Sequence, residues 1–264
     1  MSACWRSMRR KVRCGSVDLE NATILTVPVR CVSASLRTVV HMTSTTLLLI
    51  SGAGLPAWIW DDATTGLDAP VARRPEGSNA SLLQYAQAAL DSASPGAISI
   101  VAHSAGGLVA AAMTALAPAR VRGILAVTAV IPEPRGSFIG AMPLPNRLML
   151  SAVMRVAGTR PPASALRAGI ASGLDANLSK RLVNDFTPES QAYYRDRTPM
   201  FDMPHHRGYV TTTNDREISP ALQEGFATRL APDFKKRIDG GHLPMLEHPE
   251  ELRKYIVEFH ASVQ

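Results

Sequence analysis

The sequence predicts an α/β protein: a mostly parallel sheet with helices on both faces, interrupted by a helical insertion. Three observations carry this. Short apolar runs alternate with helical stretches along most of the chain. Several of these runs are apolar throughout, as expected of strands covered on both faces. Between residues 132 and 205 the alternation stops, and prolines, methionines and helix formers replace the strand-like runs.

Taken in order, TLLLIS (46–51) predicts a buried strand ended by Gly52 and Gly54. APVARRP (69–75) is a weaker strand candidate. SNASLLQYAQAALDSA (78–93) places Leu82, Leu83, Tyr85, Ala86, Ala89 and Leu90 at helical spacing, with Ser78 or Asn79 as N-cap. AISIVA (97–102) is a second buried strand. SAGGLVAAAMTALAPA (104–119) is helical and apolar almost all round, so other elements should cover it. VRGILAVTAV (121–130) is a third strand.

Within the insertion, LPNRLMLSAVMRVAG, ASALRAGIASGL and ESQAYYRDR predict helices. Met142, Met149, Met154, Met200 and Met203 are expected first as core and also as a flexible apolar pocket lining. The β/α rhythm returns with RGYVTTT (207–213), ISPALQEGFATRL (218–230), FKKRID (234–239) and a closing amphipathic helix, PEELRKYIVEFHASV (249–263). The expected organisation is a basic, poorly ordered extension over 1–41, a core formed by 42–131 and 206–264, and a cap over 132–205. If ordered, ATILTVPV and LRTVV in the extension would form one edge hairpin.

The 264 residues carry a formal charge of +6, but its placement argues against a nucleic-acid partner. Residues 1–41 hold seven Lys/Arg against Asp18 and Glu20, while the rest of the chain holds 21 basic and 20 acidic side chains. No apolar run approaches the roughly 18 residues of a membrane span. Cys4, Cys14 and Cys31 all lie in the basic extension, and an odd number outside the core gives no disulfide framework. That fits a cytoplasmic protein. The extension makes a poor secretory signal, because acids precede a short apolar stretch.

The chemistry concentrates at three strand ends. Ala102-His103-Ser104-Ala105-Gly106 lies between a strand and a helix, the context of a nucleophile elbow. Residues two before and two after the serine must be small, and Ala102 and Gly106 are. A serine needs a base, and the base an orienting group. His242 follows FKKRID and Asp215 follows YVTTT, giving the chain order Ser, Asp, His. Glu133, after the third strand, is the rival acid. His103 reads as a packing residue. An acyl-transfer oxyanion needs preset N–H donors. The Ala105 N–H is one candidate, and the turn Ser51-Gly52-Ala53-Gly54 offers a second.

LLISGAGLPAWIW, ISIVAHSAGGLVAAAM, YVTTTNDREISPALQ and IDGGHLPMLEHPEEL together resemble the α/β-hydrolase superfamily over about residues 44–264. They look most like the branch of plant methylesterases, hydroxynitrile lyases and their bacterial relatives. The resemblance implies Ser104 as nucleophile, His242 as general base then acid, Asp215 as its orienter, and the Ala53 and Ala105 N–H groups as oxyanion hole. It implies a substrate pocket near Gly52, Gly54, Trp58 and Leu243. The lyases of that branch carry a threonine and a lysine where this chain has Gly52 and Leu243, the esterase pattern. The chain departs from the family at Ala102, usually glycine, and at Ser51, usually a histidine that supports the oxyanion loop; Ser51 offers a smaller hydrogen bond in its place. The implied activity is hydrolysis of a small, apolar carboxylic ester with no metal or organic cofactor. A ligand-binding protein on this scaffold, or an acyltransferase or perhydrolase, remains the alternative.

Overall fold

A computed structural model of the chain describes residues 45–264. Both the basic extension and its expected hairpin lie outside these residues. Five parallel strands, β1 (Thr46–Ile50), β2 (Ile98–His103), β3 (Val121–Val127), β4 (His206–Thr212) and β5 (Phe234–Ile238), pair in chain order across one sheet. Their side chains alternate between two apolar layers. Leu48, Ile50, Ile100, Ala102, Ile124 and Ala126 face one core. Leu47, Leu49, Val101, Leu125, Val127 and Val210 face the other.

The first core is covered by α1 (Leu82–Ser92), α2 (Gly106–Leu116) and α8 (Pro220–Leu230). The second is covered by α10 (Pro249–Val263), through Leu252, Ile256, Phe259 and Val263, and by the one-turn helix α9 (Pro244–Glu247), through Met245. Helices thus cover both faces, as the wholly apolar strands require. A 3₁₀ turn over Ala57–Trp60 adds Ile59 and Trp60 to the second core.

The weak strand over 69–75 contracts to one parallel bridge, Val71 against Leu49. Pro70 lacks an N–H, and the Arg73 N–H is diverted to Ser92 Oγ. The bridge still matters, because β1 pairs with β2 on one side and with Val71 on the other. The chain leaves β1 toward one edge and returns across it to β2. Such a reversal opens a crevice at the C-terminal ends of β1 and β2.

The N-cap of α1 is Ser81, in a capping box with Gln84, rather than Ser78 or Asn79. Between β3 and β4 come α3 (Phe138–Ala141), α4 (Leu144–Ala157), α5 (Ala163–Ala168), α6 (Ala176–Asp185) and α7 (Gln191–Arg195). Helix α6 was not anticipated; Asp175 starts it by accepting the N–H groups of Asn177 and Leu178. The methionine expectation holds for Met142 and Met154, which are buried, and fails for Met149 and Met200, each 60 % exposed. Met149 belongs to an outward face of α4 that also carries Leu144, Leu148, Val153 and Val156. The described residues form one compact unit. Among the described residues no helix is long and apolar enough to cross a membrane.

Candidate active site

Ser104 occupies the turn between β2 and α2 with φ +51°, a left-handed conformation that an L-residue adopts at a cost. Its own backbone groups hold it there: Ser104 N–H donates to Val127 O, and Ser104 O accepts from the Gly107 and Val130 N–H groups. The turn is tight enough that a Cβ on Gly106 would lie 2.8 Å from Ile50 O. This is the steric reason for a small residue two past the serine. The loop after β1 closes against the same turn, since a Cβ on Gly52 would lie 2.8 Å from Ser104 Cβ.

Asp215 and His242 reach this turn from the loops after β4 and β5. His242 Nε2 lies 3.1 Å from Ser104 Oγ, and Nδ1 lies 2.8 Å from Asp215 Oδ2. A carboxylate only accepts, so Nδ1–H donates to Asp215 and the Nε2 lone pair faces the serine hydroxyl. The two oxygens of Asp215 serve separate sets of bonds. Oδ1 accepts the N–H groups of Glu217 and Ile218 at 2.7 and 2.8 Å, while Oδ2 accepts from His242 and from Gln223 Nε2. The rival acid Glu133 points to solvent, 3.5 Å from Arg229.

The electrostatics follow from these contacts. Burial alone would raise the Asp215 carboxyl. The charge and hydrogen bond of His242, with the Ile218 and Glu217 N–H groups, outweigh it and hold the carboxyl below its ordinary range. Burial alone would lower the His242 imidazole. The charge and hydrogen bond of Asp215, aided by the charges of Glu217 and Glu247, reverse that and raise it above the usual 6.5. His103 is the packing residue the sequence suggested: burial, and then His242, push it down to about 3. Neutral, it donates from Nε2 to the His242 carbonyl at 2.8 Å.

Three supporting residues escaped the sequence reading. Gln223, fully buried on α8, donates to Asp215 and to Ile218 O while accepting the Thr212 N–H. Glu247 accepts the N–H groups on either side of His242, Gly241 at 2.6 Å and Leu243 at 3.2 Å, and so fixes the loop that carries the imidazole. The third, Glu189, bonds the Gly54 N–H. Only the closeness of Glu247 to His242 along the chain was available as a signal.

The remaining candidates fall into two groups. Gly52, Ala53 and Gly54 form the β1 loop against Ser104, and Ala105 begins the turn into α2. Trp58 and Leu243 are engaged elsewhere. Trp58 donates to Asp185 and stacks under the Arg181 guanidinium, 3.9 Å away. Leu243 is fully buried in the second core. Ser51 Oγ accepts from Trp60 Nε1.

A parallel sheet with a serine in a strained strand–helix turn, an imidazole beside it, and a carboxylate behind the imidazole defines a hydrolase scaffold of the α/β type. Residues 47–254 match the sequence model of the alpha/beta hydrolase family, and the chain belongs to that family. Solved structures of similar fold include polyneuridine aldehyde esterase (a mutant form), 16 % identical with a TM-score of 0.63, covering 81 % of this chain and 98 % of its own. A pyrethroid hydrolase from Sphingobium faniae JZ-2 is 18 % identical with a TM-score of 0.64, covering 83 % and 98 %. An extracellular α/β-hydrolase from a Paenibacillus species, described as sharing structural and functional homology with tobacco salicylic acid binding protein 2, is 15 % identical with a TM-score of 0.67, covering 81 % and 98 %. These neighbours share the fold that the sequence motifs imply. No curated protein matches the chain in sequence.

Proposed function

We propose that the protein hydrolyses a small, apolar carboxylic ester, with Ser104 as nucleophile, His242 as general base and acid, and Asp215 as orienter. The observation that supports this most is the continuous line from Ser104 Oγ through the His242 ring to Asp215, at 3.1 and 2.8 Å. Ser104 Oγ adds to the ester carbonyl carbon while His242 Nε2 takes the hydroxyl proton. The tetrahedral oxyanion is held by the Ala53 and Ala105 N–H groups. As the C–O bond breaks, His242 returns the proton to the leaving alcohol. Water then attacks the acyl-enzyme, giving its proton to His242; collapse releases the acid and restores the Ser104 hydroxyl. Every bond made or broken is covered by substrate, water and these side chains. The charge on Asp215 stabilises the imidazolium present at each tetrahedral stage.

Residues 132–205 are assigned the part of a cap. Ser104 is 9 % exposed, and the insertion reaches the β1 loop, where Phe186 packs on Gly54 and Thr187 N–H donates to Gly54 O. An apolar substrate suits the buried Met142, Met154, Ile139 and Tyr194 on the inner side of this insertion. Esterase and hydrolase appear in the names of the fold neighbours, which adds weight to the same reading.

A serine-directed fluorophosphonate probe should label the purified protein at Ser104, and a panel of p-nitrophenyl esters should show turnover favouring apolar acyl groups. Absence of both labelling and turnover would remove the hydrolase reading.

A further inference from the structure

Glu189 is the most thoroughly bonded buried acid outside the line just described. It lies between α6 and α7, in the insertion, and is 5 % exposed. Oε1 accepts the Gly54 N–H at 3.0 Å and pairs with Arg74 Nε at 2.6 Å. Oε2 accepts the Tyr85 hydroxyl at 2.7 Å. Burial first, and then Glu189, push that hydroxyl up to about 12, so it stays a donor at any working pH. Arg74 extends the network with Nη2, which donates to Leu55 O at 2.7 Å and to Gly52 O at 3.3 Å. The backbone of Glu189 is itself pinned, since Thr159 Oγ1 donates to its carbonyl.

The loop after β1 is therefore held at four backbone atoms by groups from elsewhere in the chain: Gly52 O, Gly54 N, Gly54 O and Leu55 O. Gly54 adopts φ +75°, and the Phe186 ring fills the place of a Cβ. The Ala53 N–H shares its peptide plane with the anchored Gly52 O and is followed directly by the anchored Gly54 N. A peptide plane fixed on both sides has a fixed N–H direction, and preset donors are what an oxyanion hole requires. A neutral residue at 189 would leave the Arg74 guanidinium facing the loop without its counter-charge.

We propose that Glu189, with Arg74 and Tyr85, is a positioning unit that sets the Ala53 N–H toward the oxyanion formed at Ser104. It rests on the reading of Ser104 as nucleophile and Ala53 as oxyanion donor. Its bonds run to the loop and to the two side chains that flank it, so Glu189 acts through the loop. Because the carboxylate belongs to the insertion, the oxyanion hole is complete only when that insertion is seated on the β1 loop, and substrate enclosure and transition-state stabilisation are coupled.

The test compares wild type, Glu189→Gln and Tyr85→Phe for kcat and KM on a p-nitrophenyl ester, and for inhibition by an aryl boronic acid, which forms a tetrahedral adduct on an activated serine. Loss of one oxyanion donor costs on the order of 10²-fold in kcat. Glu189→Gln should approach that loss with KM within about twofold, and should weaken the boronate by a similar factor. Tyr85→Phe, which removes one of the carboxylate's donors, should fall between it and wild type. A merely structural role would lower the melting temperature without this parallel loss of kcat and boronate affinity. The proposal is overturned if wild type turns over ester and binds boronate while the folded variants keep both within twofold, or lose KM alone. If only one variant folds, it decides; failure of both to fold would give the network a folding role and overturn the proposal equally. A wild type that neither turns over ester nor binds boronate would instead defeat the Ser104 reading, a separate outcome.

Discussion

Ser104→Ala is expected to lower kcat for p-nitrophenyl ester hydrolysis by about 10⁶-fold, the scale seen when a nucleophile that acts as a unit with its base is removed. The substitution deletes one oxygen and keeps Cβ, so the strained turn and its three backbone hydrogen bonds persist. The melting temperature should stay near that of wild type, and fluorophosphonate labelling should vanish. Turnover within tenfold of wild type would exclude Ser104 as nucleophile.

Asp215→Asn carries the second-largest expected effect, a fall in kcat on the order of 10⁴-fold. Asparagine retains an oxygen for the Glu217 and Ile218 N–H groups, so the loop after β4 should survive. What is lost is the charge, and with it the tautomer that turns the Nε2 lone pair toward Ser104. The pH profile offers a second reading of the same change. Only neutral His242 can accept the serine proton. In wild type its affinity for a proton is raised above 6.5, chiefly by Asp215 acting against burial. Activity should therefore fall with decreasing pH through a midpoint above 6.5, as kcat/KM reports. In Asp215→Asn the midpoint should move to lower pH, because burial then acts with much less opposition. An unchanged midpoint would assign the limb to another group.

What the sequence made legible, and what it did not, follows from the range of the interactions involved. The elbow was legible because its constraint is local: a strand, a serine and small residues on either side are adjacent in the chain. Asp215 and His242 were legible because each follows a strand, and a parallel sheet gathers strand ends along one edge. Gln223 was not, since nothing in ISPALQEGF marks a glutamine that will be buried against a carboxylate. Glu189 meets Gly54 across 135 positions, beyond any periodicity argument. The segment around Val71 has strand-like composition but spends its backbone hydrogen bonds on Leu49 and Ser92. Met149 and Met200 show the limit of composition, because a methionine carries no sign of which side of a helix will be covered.

The left-handed backbone of Ser104 bears on how the protein can change under selection. Glycine adopts that conformation without the penalty of about 1 kcal/mol that a side chain incurs there. Ser104→Gly should consequently melt slightly higher than Ser104→Ala while being equally dead. Breeding for heat resistance alone, with no check on turnover, would drift toward glycine at this position, so any thermostable descendant must be screened for chemistry and survival together.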